Sequence, residues 1–581
     1  RLLSLVESRG LSFFMIDLPD AGKHFDLCLS RGLFIPSHLA GQRPYGNRTV
    51  IPRLFKGLLL KVFDNQGVLR SDLDKPSIKF LRQLYYVAKK FKMECGDSKT
   101  WKTVNEFFKT DSRVDPPSLN WDEDQLDVER ARYLHFGDTR YAEHLPLFDN
   151  HDLHDQRAEE RISTFSYAEL DTVQKTADIV AGTLGKFSPE EWRTKHGPGA
   201  VADLHHSEFK YDFPNWPAKL AEVFPMDVFG FANYADWAAY ASDNGATGFS
   251  SHEPPARLIS VPKTLKGPRL IAAEPTAHQW CQQAILDYLV SRIPHTPLQY
   301  CVDFSSQLRN QQMALRASHD QAHVTIDLSE ASDRISCWAV ERLFRRNSTL
   351  LNALHATRTR WIHNRIDKKS PEFVKLRKFS CMGSACTFPV QTVLFATLTI
   401  AAMHIVRQRP VTIRSTSLYA QEVQVFGDDI IAPIDCWDVL QGLIGYLRLK
   451  VNPHKTFGIG KFRESCGLDA YDGTDVTPVY SKTYPDVTRP DSIISNVQSH
   501  NNMIQSGYFA LARYIQSRVV GLKRLLLPYV PIGSGAFGWY DIAGVGNNHL
   551  KRRFNPLLQR IEYRADIPYG RSTRFHPDSD S

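Results

Sequence analysis

The stretch Gln424-Val425-Phe426-Gly427-Asp428-Asp429-Ile430-Ile431 sets two adjacent carboxylates at a glycine turn between two apolar runs, Val423 to Phe426 and Ile430 to Ile434. This pattern predicts a hairpin whose flanks are buried in a sheet and whose tip presents the acids. Acids held in that way suit a divalent cation, because hard Mg²⁺ takes carboxylate oxygen and keeps waters and substrate phosphates as its other ligands. The same residues also suit an ordinary solvated turn, so the reading depends on what the rest of the chain supplies.

A second acid ends an apolar strand at Val324-Thr325-Ile326-Asp327-Leu328-Ser329, with Asp333 six positions after Asp327. An ionised Asp there needs a partner, and a metal shared with the Asp428 turn would provide one. The alternative is that Asp327 or Ser329 caps the helix that follows, whose apolar face includes Ile335, Trp338, Ala339 and Leu343. Upstream, Pro262-Lys263-Thr264-Leu265-Lys266-Gly267-Pro268-Arg269 forms a basic turn between the strand-like runs Arg257 to Val261 and Arg269 to Ala273. Lys263, Lys266 and Arg269 suit a triphosphate, where Arg binds bidentately and Lys acts as a point charge; a plain basic surface has the same composition. The loop Ser380-Cys381-Met382-Gly383-Ser384-Ala385-Cys386-Thr387 opens a long apolar helix. Its small residues permit close backbone approach to a ligand, and a helix N-terminus favours anions. Ser384 or Thr387 also suits a simple helix cap.

The chain has 581 residues, 42% hydrophobic and 23% charged, the composition of a globular protein large enough for several subdomains. Its net charge is +8, and residues 481–581 hold thirteen Lys/Arg against seven Asp/Glu, so +6 of the excess lies there. A basic terminal region suits a polyanion or a solvated surface. Nine cysteines with no CxxC pair argue for a reducing compartment and against a zinc ribbon. Thr387 to Val406 has membrane-spanning length and no charge, but its threonines, Gln391, His404 and Pro389 favour a buried core helix and no membrane contact. A polar, basic stretch covers Thr357 to Lys378. An amphipathic stretch, Trp437 to Leu449, ends near Asn452-Pro453, and residues beyond Tyr480 read mainly helical to about Leu527, then as glycine-containing loops.

The order of these elements resembles that of a right-hand template-dependent RNA polymerase, and more closely the replicase subunit of the small positive-strand RNA bacteriophages (leviviruses). Carrying the resemblance are Val261-Pro262-Lys263 with Ala273-Glu274-Pro275, and Asp327-Leu328-Ser329-Glu330-Ala331-Ser332-Asp333. Met382-Gly383 with Thr387-Phe388, Phe426-Gly427-Asp428-Asp429-Ile430-Ile431 and Lys455-Thr456-Phe457 follow. Most specific is Phe462-Arg463-Glu464-Ser465-Cys466-Gly467 with Asp475-Val476-Thr477-Pro478, so the resemblance runs from about Arg257 to Tyr480. Outside it, Gly197-Pro198-Gly199-Ala200 is compatible with a fingers loop. Phe426 stands where Tyr is common, and Gln391 where many viral polymerases carry a ribose-sensing Asn.

The resemblance implies an α+β right hand of fingers, palm (an antiparallel sheet with packed helices) and thumb. The expected division is 1–250 N-terminal region and fingers, 251–321 fingers with the basic hairpin, 322–345 palm around the first Asp, 346–380 fingers insertion, 381–480 palm, and 481–581 thumb and C-terminal region. It implies RNA-templated RNA synthesis by two-metal nucleotidyl transfer with release of pyrophosphate, using two Mg²⁺ ions for which Mn²⁺ substitutes. Asp327 and Asp428 would hold both ions, with Asp429 as a weaker ligand and Lys455 as proton donor to pyrophosphate. Lys263, Lys266 and Arg269 would screen the triphosphate; Asp333, with Ser384 or Thr387, would recognise the ribose 2′-hydroxyl. Arg463 is expected to position the primer strand, while Glu464 has no assigned role. The expected partners are template and product RNA, NTPs, host elongation factors Tu and Ts and a ribosomal RNA-binding protein, in the cytoplasm of an infected bacterium. A reverse transcriptase, a non-catalytic RNA-binding protein and a metal-dependent phosphodiesterase share some of these residues; dNTP preference would mark the first.

Overall fold

The structure is a computed structural model that describes residues 2–138, 165–204, 210–211, 213–244, 252–523 and 525–569. The boundary expected at 250/251 and the extreme end of the C-terminal region lie outside these residues. Within them the chain is a mixed α+β protein with antiparallel sheets at its centre.

Eleven strands matter for the site. They are β1 (Ala256–Thr264), β2 (Gly267–Ala273), β3 (His323–Ser329), β4 (Trp361–His363), β5 (Phe373–Lys375) and β6 (Gln424–Phe426). The others are β7 (Asp429–Pro433), β8 (Lys450–Val451), β9 (Phe462–Ser465), β10 (Leu468–Tyr471) and β11 (Thr474–Asp475). The central sheet runs β6-β7-β3-β8, antiparallel throughout. Val324, Thr325 and Ile326 are all buried, so β3 is covered on both faces and its apolar residues need no alternation. Pairing of Phe426 with Asp429 leaves Gly427 and Asp428 as a two-residue loop. Gly427 has φ +63°, and glycine at the first loop position is the type II′ signature.

Behind this sheet lies the Thr387–Arg407 helix, buried from Val390 to His404 without a break. Among the described residues it is the one helix long and apolar enough to cross a membrane, and it is a core helix here. Pro389 sits in its first turn, where a missing N–H does no harm. The helix after β3 spans Cys337–Leu343, and its cap is Ser336, whose Oγ accepts from the Ala339 amide at 3.1 Å. Asp327 and Ser329 are therefore free of capping duty, because the 3₁₀ turn Ala331–Arg334 separates them from the helix.

The polar stretch 357–378 contains β4 and β5, which extend the β1–β2 hairpin into a four-stranded sheet of order β2-β1-β4-β5. That sheet packs on Val104 and Phe107 of the Asp97–Ser112 helix. The expected amphipathic stretch is a helix only over Trp437–Tyr446, since β8 begins at Lys450. At the C-terminal side, the expected helical stretch forms helices Pro490–Gln505 and Phe509–Lys523, which pack together. The glycine loops beyond them enclose a strand pair that local patterning did not show, Lys551–Asn555 with Arg560–Arg564.

Besides Val104 and Phe107, residues before 250 contribute to two further cores. Leu119 to Phe187 join the core around the Thr387–Arg407 helix, whereas Phe13 to Tyr86 pack with Phe457, Phe462, Tyr471 and Val476. The second core is also bolted by charge. Arg82 is buried, bonds both oxygens of Asp26 at 3.0 and 3.1 Å, and meets Asp469 of β10 at 2.8 Å. Removing Arg82 would strand two buried carboxylates, a loss of about 3–5 kcal/mol.

The glycine loop before the long helix lies directly on β2: the Ala272 amide donates to the Met382 carbonyl at 2.8 Å. Gly383 has φ +129°, and a Cβ there would fall 1.9 Å from the Ala272 carbonyl oxygen. Gly383→Ala is expected to lower stability by about 2 kcal/mol or more, read as a lower denaturant midpoint. Gly182→Ala is the contrast, because Gly182 sits in the Tyr167–Leu184 helix with open space around it. It should raise stability by about 0.5–1 kcal/mol.

Candidate active site

The register of the central sheet places Asp327 directly opposite Asp429, with Asp428 at the adjoining hairpin tip. Directly opposed residues of an antiparallel pair project from the same face, so the pairing itself gathers the carboxylates. Burial raises the Asp428 pKa first and Asp327 second, while its own backbone, Lys455 and Lys263 oppose the shift. Asp429 is pushed up to about 7, by burial and then by Asp428, against a hydrogen bond from the Cys466 backbone and the pull of Lys455. Burial and like charge together give these carboxylates the environment that a bound cation would relieve.

Two groups already engage Asp327. Lys455 Nζ meets Oδ1 at 2.9 Å and Asn452 Nδ2 donates to Oδ2 at 2.8 Å. Lys455 in turn lies 3.8 Å from Glu464, which gives Glu464 a place as its second counter-charge. Burial lowers the Lys455 pKa, but Glu464 and Asp327 together outweigh it and leave the ammonium above its usual value.

The hairpin tip is held from the long helix. The Gly427 amide donates to Thr392 Oγ at 3.1 Å, and a side chain at Gly427 would meet Phe388 and Gln391 at 3.0 and 3.1 Å. Phe388 and Phe426 pack edge to face, 4.9 Å between ring centroids, so the ring at 426 serves without a hydroxyl. Gln391 is buried, and its Oε1 has no hydrogen-bond partner among the described residues. On the other side, the β9–β10 turn carries Cys466 (φ +48°) and Gly467 (φ +77°) and touches Asp429 through the Cys466 backbone.

The basic hairpin divides. Lys263 is solvent-exposed, and its pKa is lowered by the surrounding protein first, then by Arg269 and Lys455, while Asp327 and Asp428 raise it. Lys263 thus shares the electrostatic neighbourhood of the acids, with Arg269 beside it. Lys266 points elsewhere, with its ammonium 2.6 Å from Asp20 in the Leu18–Arg31 helix.

The ribose candidates divide as well. Asp333 pairs with Lys378 at 3.0 Å. Ser384 Oγ accepts weakly from the Cys386 amide at 3.3 Å and remains partly exposed. Thr387 is buried: its hydroxyl donates to the Cys381 carbonyl at 2.6 Å and also bonds the Ser380 hydroxyl at 2.8 Å. That hydroxyl braces the loop, and its single proton is committed to the Cys381 carbonyl.

Arg463, expected at the primer strand, lies inside the protein as an internal clamp. The residue is fully buried; its Nε bonds the His323 carbonyl at 2.7 Å, and its terminal nitrogens bond the carbonyls of Gly458, Gly460 and Phe462. Burial lowers its pKa to about 10. A guanidinium enclosed by four carbonyls secures the 458–462 turn to β3.

Residues 95–495 match the family described as RNA replicase, beta-chain. The chain belongs to the RNA replicase beta-chain family. Among its relatives, the RNA-directed RNA polymerase subunit beta of Escherichia virus Qbeta is 32% identical over 231 residues, 39% of this chain and 35% of that protein. The RNA-directed RNA polymerase beta chain of Enterobacteria phage GA is 31% identical over 234 residues, 40% of each chain. That of Escherichia phage MS2 is 30% identical over 228 residues, 39% of this chain and 37% of that protein. The aligned stretches thus span well under half the length of these relatives.

For an RNA replicase beta chain the donor set fits Mg²⁺ in a specific way. Among the described residues no three His, Cys, Asp or Glu side chains converge into a preformed cage. Mg²⁺ characteristically takes one or two carboxylates and completes its shell with water and phosphate, which Asp327, Asp428 and Asp429 can supply. Sequence reasoning missed Asn452 and Lys378; Asn452 lies three residues before Lys455, close enough that the pair could have been read together.

The raised Asp429 pKa yields a signed prediction. Without Mg²⁺, the folded chain keeps a proton on Asp429 up to about pH 7, whereas an unfolded Asp releases it near the ordinary value of about 3.9. The folded state therefore binds more protons in that window, and stability falls as pH rises through it, by at most about 1.4 kcal/mol per unit. Asp429→Asn should flatten this slope in melts run in chelator. Mg²⁺ needs the deprotonated acids, so its stabilising shift in Tm should grow from pH 5 to pH 8; a shift independent of pH would contradict the assignment.

Proposed function

We propose that this chain is the catalytic subunit of an RNA-templated RNA polymerase, joining NTPs with release of pyrophosphate. The observation that carries the reading is the Asp327–Asp429 register with Asp428 at the tip and Lys263 facing the same acids. In this reading the central sheet is the palm, the β1–β2–β4–β5 sheet belongs to the fingers, and the paired helices after 490 belong to the thumb.

Two Mg²⁺ ions, or Mn²⁺ in their place, held by Asp327 and Asp428 with Asp429 in support, would supply the Lewis-acid charge that activates the 3′-hydroxyl and stabilises the leaving pyrophosphate. For this, Asp327 must exchange its contacts with Lys455 and Asn452. The same exchange frees the Lys455 ammonium to donate a proton to pyrophosphate, with Glu464 keeping it in place. Lys263 and Arg269 neutralise triphosphate charge as it builds. Lys266 steadies the hairpin through Asp20 in this arrangement and joins them only if that pair opens. Asp333, with Ser384, recognises the 2′-hydroxyl. Sequence choice comes from base pairing, so the protein reads backbone and pair shape. The basic C-terminal region grips duplex RNA with salt-dependent affinity. Host elongation factors Tu and Ts, and a ribosomal RNA-binding protein, would complete the enzyme in the cytoplasm of the infected bacterium.

The test is RNA-templated incorporation of labelled NTPs with Mg²⁺, in bacterial extract to supply host factors and rifampicin to silence host transcription. Wild type should give template-length product, and Asp428→Asn should reduce it about 10³-fold or more. Lys455→Leu should lower kcat about 10²-fold, the lower range for loss of a positioned proton donor. Incorporation of dNTPs in preference to NTPs, or product insensitive to Asp428→Asn, would overturn the proposal.

A further inference from the structure

The pair Asp333–Lys378 is built differently from the surface ion pairs of this chain. Lys378 closes the polar 357–378 stretch, yet its side chain has 0% exposure. Its ammonium lies over the Phe107 ring, 3.3 Å from the centroid, and 3.0 Å from Asp333 Oδ1. Its stem is equally constrained. Asp111 of the Asp97–Ser112 helix accepts the Arg377 and Lys378 amides, each at 3.0 Å, and Ser336 bridges to Lys378 from the start of the next helix. A lone ammonium is very costly to bury; here a ring face and one carboxylate oxygen satisfy it.

Asp333 occupies the 3₁₀ turn that follows β3, six residues beyond Asp327. Cys381, in the glycine loop, senses the charges of both Lys378 and Asp333, which puts the pair beside that loop. The second Asp333 oxygen, Oδ2, has no hydrogen-bond partner among the described residues, and the side chain is 19% exposed. The neighbouring Arg334 is occupied by Glu330 at 2.8 Å and does not compete for it. With the Thr387 hydroxyl committed to Cys381 and Ser380, Asp333 is the stronger of the acceptors beside the loop.

We propose that Lys378 is a positioning residue for sugar selection: by fixing one oxygen of Asp333 from beneath, it aims the other at the 2′-hydroxyl of the incoming nucleotide. The assignment rests on the polymerase reading above. Lys378 touches no substrate. It holds Asp333 in one orientation as an acceptor, so that a ribose gains a charge-assisted hydrogen bond and a deoxyribose leaves the oxygen unpaired.

The experiment measures kcat/KM for GTP and dGTP on one RNA template, using the full chain in extract with rifampicin. Wild type, Lys378→Met, Lys378→Arg, Asp333→Ala and the double variant Lys378→Met/Asp333→Ala are compared. Lys378→Met should reduce the GTP:dGTP ratio about tenfold or more, mainly through a higher KM for GTP, and the double variant should lose no more discrimination than Asp333→Ala. Lys378→Arg retains the charge but not the compact ammonium, and should give an intermediate ratio; it also serves if Lys378→Met fails to fold. Equal losses for GTP and dGTP, or an unchanged ratio in both Lys378 variants while Asp333→Ala abolishes selection, would overturn the role of Lys378 alone. A wild-type chain that incorporates neither nucleotide would overturn the polymerase reading, and this assignment with it.

Discussion

The antiparallel register that sets Asp327 opposite Asp429 is the constraint on which the rest depends. Backbone hydrogen bonds hold the strands together while the carboxylates are buried and repel one another, and burial first, then repulsion, raises the pKa values of Asp428 and Asp429. Nothing in folding alone favours such an arrangement. Lys455, Asn452 and Lys263 offset part of it, which is why the site withstands its own charge without an ion. The groups that offset it are also the ones that must rearrange when a cation and a triphosphate arrive, so resting stability and function are linked through the same side chains.

Everything around the acids limits their movement. Thr392 fastens the hairpin tip to the long helix, and the Cys466 turn meets Asp429 from the opposite side. Arg463 then ties the base of β9 to β3 through carbonyl contacts. The β9–β10 pair is itself anchored to the N-terminal helices by Arg82 and its two carboxylates. A motif near residue 465 is thus braced by residues near 26 and 82, and residues about 400 positions apart share one core.

Much of this was legible in the sequence. The acidic hairpin, the Asp327 strand, the basic hairpin strands and the buried helix all follow from local pattern: an apolar run, a glycine where φ must be positive, or an uninterrupted hydrophobic stretch. What escaped depends on distance along the chain. Lys378 reads as one more cation in a polar stretch, because its burial is created by Phe107 and Asp111, far upstream. Arg463 reads as a ligand contact because charge usually seeks solvent or phosphate; only the fold shows four carbonyls around it. Thr387 reads as an available hydroxyl until the loop closes and occupies it. Strands β4 and β5 lack periodicity because each has only three residues.

The most direct test of the account asks where the cation sits. Mg²⁺ can be exchanged for Fe²⁺ in the presence of template RNA and NTP, and radical cleavage of the polypeptide backbone started with ascorbate and peroxide. The cut sites are then mapped by mass spectrometry. The account predicts cuts concentrated near residues 327 and 428, competed away by excess Mg²⁺ and strongly reduced in Asp428→Asn. Cuts that cluster elsewhere, or that persist unchanged in that variant, would show that the paired carboxylates are not the metal site.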